Sequence, residues 1–112
     1  MDCLFCKIRA GEIPSTKVYE DEFVYAFRDI DPKAPFHAVV IPKEHIGSAA
    51  EITAENSAVV AKIYEAIAEI ARREGLEKGF RVVTNCGADG GQTVGHLHFH
   101  LLAGRALGWP PG

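Results

Sequence analysis

The sequence has little of what membrane-spanning, secreted and nucleic-acid-binding proteins depend on. Its 112 residues contain no apolar run long enough for a membrane span, and the N-terminus lacks a signal peptide's basic-then-apolar layout. Three cysteines do not suggest a disulfide framework. The net charge is −3 and the basic residues are scattered, which argues against binding of a nucleic-acid backbone. We therefore expect one cytoplasmic domain, residues 1–112, with neither a membrane nor a nucleic acid as its partner.

Hydrophobic periodicity predicts an α+β fold, in which one long helix packs on an antiparallel sheet. Apolar residues recur at helical spacing from Val59 to Ile70, with Thr53 as the expected N-cap and Gly75 as the end. A short helix is expected within residues 4–12, and a glycine-rich bend at 87–91. Short apolar runs between turn residues predict five strands, at residues 17–19, 23–27, 36–41, 80–84 and 95–103.

The most informative segment alternates histidine with large apolar residues. His96, His98 and His100 are separated by Leu97 and Phe99. In a strand, residues two apart point to the same face, so the three imidazoles would share one face while the apolar residues face the core. In a helix the alternation would have no purpose. The segment therefore predicts a strand with one core face and one chemical face.

A glycine-rich turn, Gly90-Gly91-Gln92-Thr93, stands directly before these histidines. Glycines let the backbone approach a ligand closely, and successive N–H groups form a concavity that binds anions. Gln92 and Thr93 add side-chain donors. The turn lacks the ending of a Walker phosphate loop. Beside three imidazoles, it nevertheless indicates a phosphate-binding site.

The cysteines and histidines leave metal binding open at two places. His-x-His on a strand is a known way to offer imidazoles to a catalytic zinc ion. Cys3 and Cys6, spaced as C-x-x-C, are typical of a redox pair or of half a zinc site. Cys86 is expected to be a small buried apolar residue.

Residues His96 to Leu102 match the pattern His-φ-His-φ-His-φ-φ, where φ is apolar, so the chain resembles the histidine-triad hydrolases. The likeness covers nearly the whole chain and includes Gly11-Glu12-Ile13-Pro14 and Val40-Ile41-Pro42-Lys43. The tail Trp109-Pro110-Pro111-Gly112 is similar to the Hint branch, the purine nucleoside phosphoramidases. The resemblance implies hydrolysis of a purine nucleoside phosphoramidate, with no metal needed for catalysis.

The resemblance also implies roles for individual residues. His98 would be the nucleophile that forms a nucleotidyl-histidine intermediate, and His100 would contact the phosphate. His37 would support the triad from behind, and His96 is the remaining catalytic candidate. The nucleotide would further contact Phe27, Asp29, Ile30, Asn85, Gly91, Gln92 and Thr93. Family members often carry serine at the position of Thr93, and a larger residue at that of Gly95.

Simpler structural roles compete with several of these assignments. Asp29 and Asn85 are also typical turn formers, and Phe27 and Ile30 also suit simple core packing. A zinc-dependent hydrolase that uses the triad as ligands remains an alternative, as does a nucleotide-binding or partner-binding protein with incidental hydrolysis.

Some bacterial members of this family use C-x-x-C in a structural zinc site. The resemblance then implies Cys3, Cys6, His45 and His96 as ligands. If His96 binds zinc, it cannot also act at the phosphate, so catalysis would rest on His98 and His100.

The strand at 80–84 and the C-terminal tail predict a symmetric homodimer. The strand at 80–84 is a short apolar edge of the kind that proteins cover or pair, and joining two copies there would give a ten-stranded sheet. In the Hint-like interpretation, Trp109 crosses to the partner and shapes the leaving-group side of its site.

Overall fold

The fold, seen in a computed structural model that describes residues 3–112, is a five-stranded antiparallel sheet with helices on both faces. The strands lie in the order β1-β2-β3-β5-β4, so β1 and β4 form the edges. The strands are β1 (Lys17–Glu20), β2 (Val24–Arg28), β3 (Phe36–Pro42), β4 (Phe80–Val83) and β5 (Phe99–Ala103). The helices are α1 (Leu4–Arg9), α2 (Ala58–Glu74) and α3 (Gly87–Gly90), with a 3₁₀ turn at Ala49–Glu51.

The long helix α2 covers one face of the sheet. Alternate residues of the strands, such as Ala26, Val40 and Leu101, are fully buried against its apolar stripe, which includes Ile63 and Ile67. This alternation is what a half-buried strand requires, and the spacing on α2 is what an amphipathic helix requires. The helix ends at Gly75, whose φ of 69° places it in the left-handed conformation that glycine adopts without strain.

The short helix α1 covers part of the opposite face. Phe5 and Ile8 pack there against Phe27, Val39 and Ile41, which point away from α2. This second, smaller core borders the histidine face of the sheet. The sequence-based expectation of an α+β fold with one long and one short helix is confirmed.

Several local predictions differ from the structure. Helix α2 begins at Ala58, because Thr53 instead caps a separate turn in which its Oγ1 accepts the N–H of Glu55. The expected bend at 87–91 contains the four-residue helix α3. Cys86, expected to be buried, is exposed.

The last strand is shorter than predicted, since β5 begins at Phe99 rather than at Gly95. The N–H of His96 donates to the carbonyl of Val94, and that of Leu97 to the carbonyl of Ile46. These bonds turn residues 95–98 away from the sheet ladder. In residues 3–112, no helix combines the length and apolar character needed to cross a membrane.

Candidate active site and metal centre

A pocket of about 270 Å³ opens on the α1 face of the sheet. Its inner wall is apolar and includes Phe5, Phe27 and Val39, which are all buried. His98 and His100 line the same pocket. The expected separation of a core face and a chemical face is therefore present, because Leu97, Phe99 and Leu101 belong to the core under α2.

The ring of His98 is held in one tautomer by the backbone. Its Nδ1 lies 2.7 Å from the carbonyl oxygen of His96. A carbonyl only accepts hydrogen bonds, so Nδ1 must carry the proton. In the neutral ring, Nε2 then holds a free lone pair, the form in which an imidazole is a nucleophile. Phe5 packs edge-on against this ring, with the ring centroids 5.0 Å apart.

A second chain of hydrogen bonds sets the tautomer of His100. The backbone N–H of Lys33 donates to Nδ1 of His37 at 3.0 Å, so Nε2 carries the proton of the neutral His37 ring. That Nε2 lies 2.9 Å from Nδ1 of His100, which must accept. The remaining nitrogen of His100, Nε2, is therefore an N–H donor. The ring centroids of His98 and His100 are 5.1 Å apart, so the ring with a lone pair on Nε2 and the ring with an Nε2–H donor are neighbours.

The electrostatics of the site agree with neutral rings. Burial, reinforced by the neighbouring His98 and His37, lowers the pKa of His100 to about 4. Burial also lowers the pKa of His37, although Asp29 opposes this shift with a carboxylate oxygen 3.5 Å from Nε2. Both rings are therefore uncharged at neutral pH, as the hydrogen-bond chain requires.

Asp29, His37 and His100 also form a group whose potential ligand atoms all lie within 4.8 Å of one another. A metal ligand must offer a lone pair, yet the Lys33 N–H occupies Nδ1 of His37 and leaves its Nε2 protonated. The group therefore fits a hydrogen-bond chain better than a catalytic metal site. The other oxygen of Asp29 accepts the N–H of Asp31, which confirms the turn-forming role.

A separate group of Cys3, Cys6, His45 and His96 has the composition and geometry of a metal centre. The four potential ligand atoms lie within 4.8 Å of one another. Nδ1 of His96 is 3.3 Å from the Cys3 sulfur and 3.5 Å from the Cys6 sulfur, and Nδ1 of His45 is 3.3 Å from the Cys6 sulfur. Tetrahedral zinc with ordinary bond lengths separates sulfur and nitrogen ligands by about 3.6 Å. The four residues therefore fit a Cys₂His₂ zinc site.

The hydrogen bonds of His96 match those of a metal ligand. Its Nε2 lies 3.0 Å from the carbonyl oxygen of Pro42 and so donates, which leaves the lone pair on Nδ1, toward the cysteines. Metal-binding histidines usually donate their other N–H in this way. The side chain is fully buried and does not line the pocket. The structure thus places the His96 ring in the candidate metal centre and its backbone carbonyl at Nδ1 of His98.

The glycine-rich turn contributes less to the pocket than expected. The N–H groups of Gly91 and Gln92 donate to carbonyls inside the turn. The Gln92 side-chain amide donates to the carbonyls of Gly47 and Val94 and accepts the N–H of Gly87. Gln92 therefore braces the turn, and Thr93 is the residue of the turn that lines the pocket. Asn85, Gly91 and Gln92 do not line it.

Comparison with known proteins agrees with this geometry. The family model described as "HIT domain" matches residues 10–107. The chain belongs to the HIT domain family. It is 49% identical to a solved HIT family hydrolase from Legionella pneumophila, with a TM-score of 0.96 and coverage of 99% of this chain and 100% of that one. HIT family hydrolases thus include proteins very similar to this chain.

The names of two further relatives of this chain mention zinc binding and nucleotide binding. The chain is 45% identical to a "14 kDa zinc-binding protein" of Brassica juncea, over 99% of this chain and 100% of the relative. It is 34% identical to a solved histidine triad nucleotide-binding protein from Candida albicans, with a TM-score of 0.83 and coverage of 97% and 83%.

Some residues that shape this HIT-domain site carry no recognisable signal in the sequence. Lys33 acts through its backbone N–H, which every residue type but proline supplies, and Pro42 acts through its carbonyl, which every residue type supplies. Phe5 lies in the short helix expected within residues 4–12, but its contact with His98 depends on how α1 packs against the sheet. Ile30 is 99% exposed and lines the pocket, so the simple core role considered for it is wrong.

The lowered pKa of His100 predicts a specific loss of stability in acid. As the pH falls below the ordinary histidine pKa of 6.5, His100 of the unfolded chain binds a proton, whereas His100 of the folded protein stays neutral until about pH 4. The free energy of unfolding therefore falls through this window, by at most about 1.4 kcal/mol per pH unit for this residue. His100→Gln should reduce the slope in denaturant titrations between pH 7 and pH 4. Leu102→Ala, on the same face of β5, should lower stability while leaving the slope unchanged; an unchanged slope in His100→Gln would contradict the assignment.

Proposed function

We propose that this HIT-domain protein hydrolyses the P–N bond of purine nucleoside phosphoramidates through a nucleotidyl-histidine intermediate on His98. The observation that carries the proposal is the hydrogen bond from Nδ1 of His98 to the His96 carbonyl, because it leaves the Nε2 lone pair available as a nucleophile. The pocket beside it is small and largely apolar, as expected for a small ligand rather than a polymer.

The arrangement supports a two-step displacement. Nε2 of His98 attacks phosphorus, the P–N bond breaks, and the amine leaves with a proton taken from water. The Nε2–H of His100 donates to a phosphoryl oxygen and stabilises the developing charge. The hydroxide left by that proton transfer then attacks phosphorus, and the His98–phosphorus bond breaks to release the nucleoside monophosphate and restore neutral His98. The chain from Lys33 through His37 keeps the His100 donor aimed during both steps.

The pocket has the parts that a nucleoside needs. Its volume of about 270 Å³ is close to the lower end of ligand pockets, which span about 300–1,000 Å³. Phe27 and Val39 offer an apolar wall to a base, and the exposed Ile30 lies at the surface side of the same pocket. Asp29 offers a carboxylate oxygen to ribose hydroxyls, and the Thr93 hydroxyl can donate to the phosphate.

We infer that Cys3, Cys6, His45 and His96 bind a structural zinc ion. Four protein ligands leave no open position, so such an ion would stabilise the fold without touching the substrate. It would join α1, which carries Cys6, to the chain segments that hold His45 and His96. Thiolate ligands persist where thiols stay reduced, which suits a cytoplasmic location.

We also infer a homodimer in which the β4 strands pair. Among residues 3–112, β4 is one of the two sheet edges, and Phe80 on it is 44% exposed. Tyr64 on α2 is 50% exposed and Trp109 in the tail is 83% exposed. A dimer paired at β4 would cover Phe80, one of these exposed apolar side chains. The tail lies near β4, because Arg81 donates to the carbonyl of Gly108.

The covalent mechanism predicts that His98→Asn removes nearly all turnover. Loss of the nucleophile should lower kcat for an adenosine phosphoramidate by several orders of magnitude, while AMP binding changes only a few-fold. Steady-state kinetics and calorimetry measure the two effects, and thermal unfolding checks that the variant is folded. Retention of more than about a tenth of the wild-type kcat would refute His98 as the nucleophile.

The zinc assignment predicts about one zinc ion per chain in protein purified without added metal. Cys3→Ser and Cys6→Ser should lose the metal and melt at lower temperature, because the clamp on α1 is lost. Cys86→Ser is the matched control, since Cys86 lies outside the group and should leave the metal content unchanged. Elemental analysis measures the zinc content, and thermal unfolding measures the melting temperature. Wild-type protein that contains no metal, and whose melting temperature does not change when zinc is added, would overturn the assignment.

The proposed dimer predicts that the protein sediments as a species of two chains at micromolar concentration. Phe80→Lys should produce monomers, because it would place a charged side chain at the paired β4 edge, where lysine disfavours strand pairing. Trp109→Ala should leave the dimer intact but alter the preference among leaving amines. A monomeric wild-type protein, or an unaltered amine preference in Trp109→Ala, would show that the corresponding part of the dimer proposal is wrong.

A further inference from the structure

We propose that His96 is a positioning residue through which the metal centre fixes the nucleophile, so that metal occupancy sets kcat rather than KM. The inference rests on the proposed function for its kinetic consequence, but its structural content can be tested without turnover. It concerns two ends of one residue: the imidazole of His96 at the metal centre, and its backbone carbonyl at His98.

The imidazole end is held from two sides. Nδ1 faces the sulfurs of Cys3 and Cys6 at 3.3 and 3.5 Å, and Nε2–H donates to the carbonyl of Pro42 at 3.0 Å. The ring has no exposed surface. With the lone pair of Nδ1 bound to a metal, the ring has one orientation; without the metal, the bond to Pro42, packing and the weak thiol contacts of Nδ1 define it.

The backbone end decides which nitrogen of His98 is the nucleophile. The carbonyl of His96 accepts the Nδ1–H of His98 at 2.7 Å. Because β5 begins only at Phe99, the sheet ladder does not hold His96 or His98 in place. The peptide around His96 is instead fixed by the bonds from His96 N–H to Val94 and from Leu97 N–H to Ile46, together with the His96 ring itself.

A second contact leads from the metal centre to the same nucleophile. Helix α1 carries Cys6 and follows Cys3, and Phe5 lies between these two cysteines. The Phe5 ring meets the His98 ring edge-on, with centroids 5.0 Å apart, and it also lies 6.1 Å from the His96 ring. Fixing the two cysteines therefore also fixes the apolar side chain that packs against His98.

The consequence is a particular split in the kinetics. No residue of the metal centre lines the pocket, so substrate affinity should depend little on the metal. Displacement of a catalytic group by about 1 Å can cost on the order of 100-fold in rate. Loss of the metal should therefore lower kcat by about 10- to 100-fold with KM nearly unchanged, while the nucleotidyl-His98 intermediate still forms.

The test compares zinc-loaded and chelator-treated full-length protein by proton–nitrogen NMR of labelled histidine. In zinc-loaded protein, the NMR signal of the His98 Nδ1–H, assigned with His98→Asn, should be sharp and the proton should exchange slowly with solvent. In zinc-free protein, the signal should be broadened or lost. His45→Ala removes the most accessible ligand and should reproduce the metal-free spectrum. His45→Cys should restore zinc and the signal, because the ligand atom of His45 is Nδ1, close to its Cβ.

A control on the opposite face separates positioning from general stability. Ile67→Ala, in the core under α2, should lower the melting temperature by leaving a cavity yet keep the His98 signal and kcat. A His98 signal indifferent to zinc removal, or lost equally in Ile67→Ala, would overturn the inference. Failure of the proposed function would be distinct: zinc-loaded wild-type protein would show the signal but no phosphoramidate turnover.

Discussion

The hydrogen bond from Nδ1 of His98 to the carbonyl of His96 is the contact on which the site depends. It fixes the tautomer of His98, and the tautomer decides whether the nitrogen facing the pocket is a nucleophile or a donor. The same principle governs the other rings, since Lys33 and Pro42 set the tautomers of His37 and His96 through backbone groups. The four histidines thereby acquire different chemical roles although their side chains are identical.

The fold allows this division of roles in a small chain, because the two faces of the sheet serve different purposes. Helix α2 and the strand residues that it covers form the larger apolar core on one face of the sheet, so the other face can hold imidazoles. Burial on that face keeps His37 and His100 uncharged, because desolvation lowers both pKa values. The Cys₂His₂ group brings Cys3 and Cys6, at the start of α1, against His96 on the same face, where a helix of only six residues has little core of its own.

The sequence predicted what depends on side-chain type and period, and missed what depends on backbone geometry. Alternation at His96, His98 and His100 correctly separated a core face from a chemical face. The four metal-binding candidates also lie together as expected: C-x-x-C is itself a signal in the sequence, and the family resemblance supplied His45 and His96. The departure of His96 from the strand and the internal bonds of Gln92 had no such signal, since backbone N–H and C=O groups are common to all residues.

The most direct measurement is mass spectrometry of zinc-loaded protein quenched during turnover of an adenosine phosphoramidate. The account predicts a nucleotidyl group on the peptide that contains His98, formed before free AMP and absent from the His98→Asn protein. Release of AMP at the full wild-type rate from protein that carries no nucleotide at any time would contradict it, because water would then have attacked phosphorus directly.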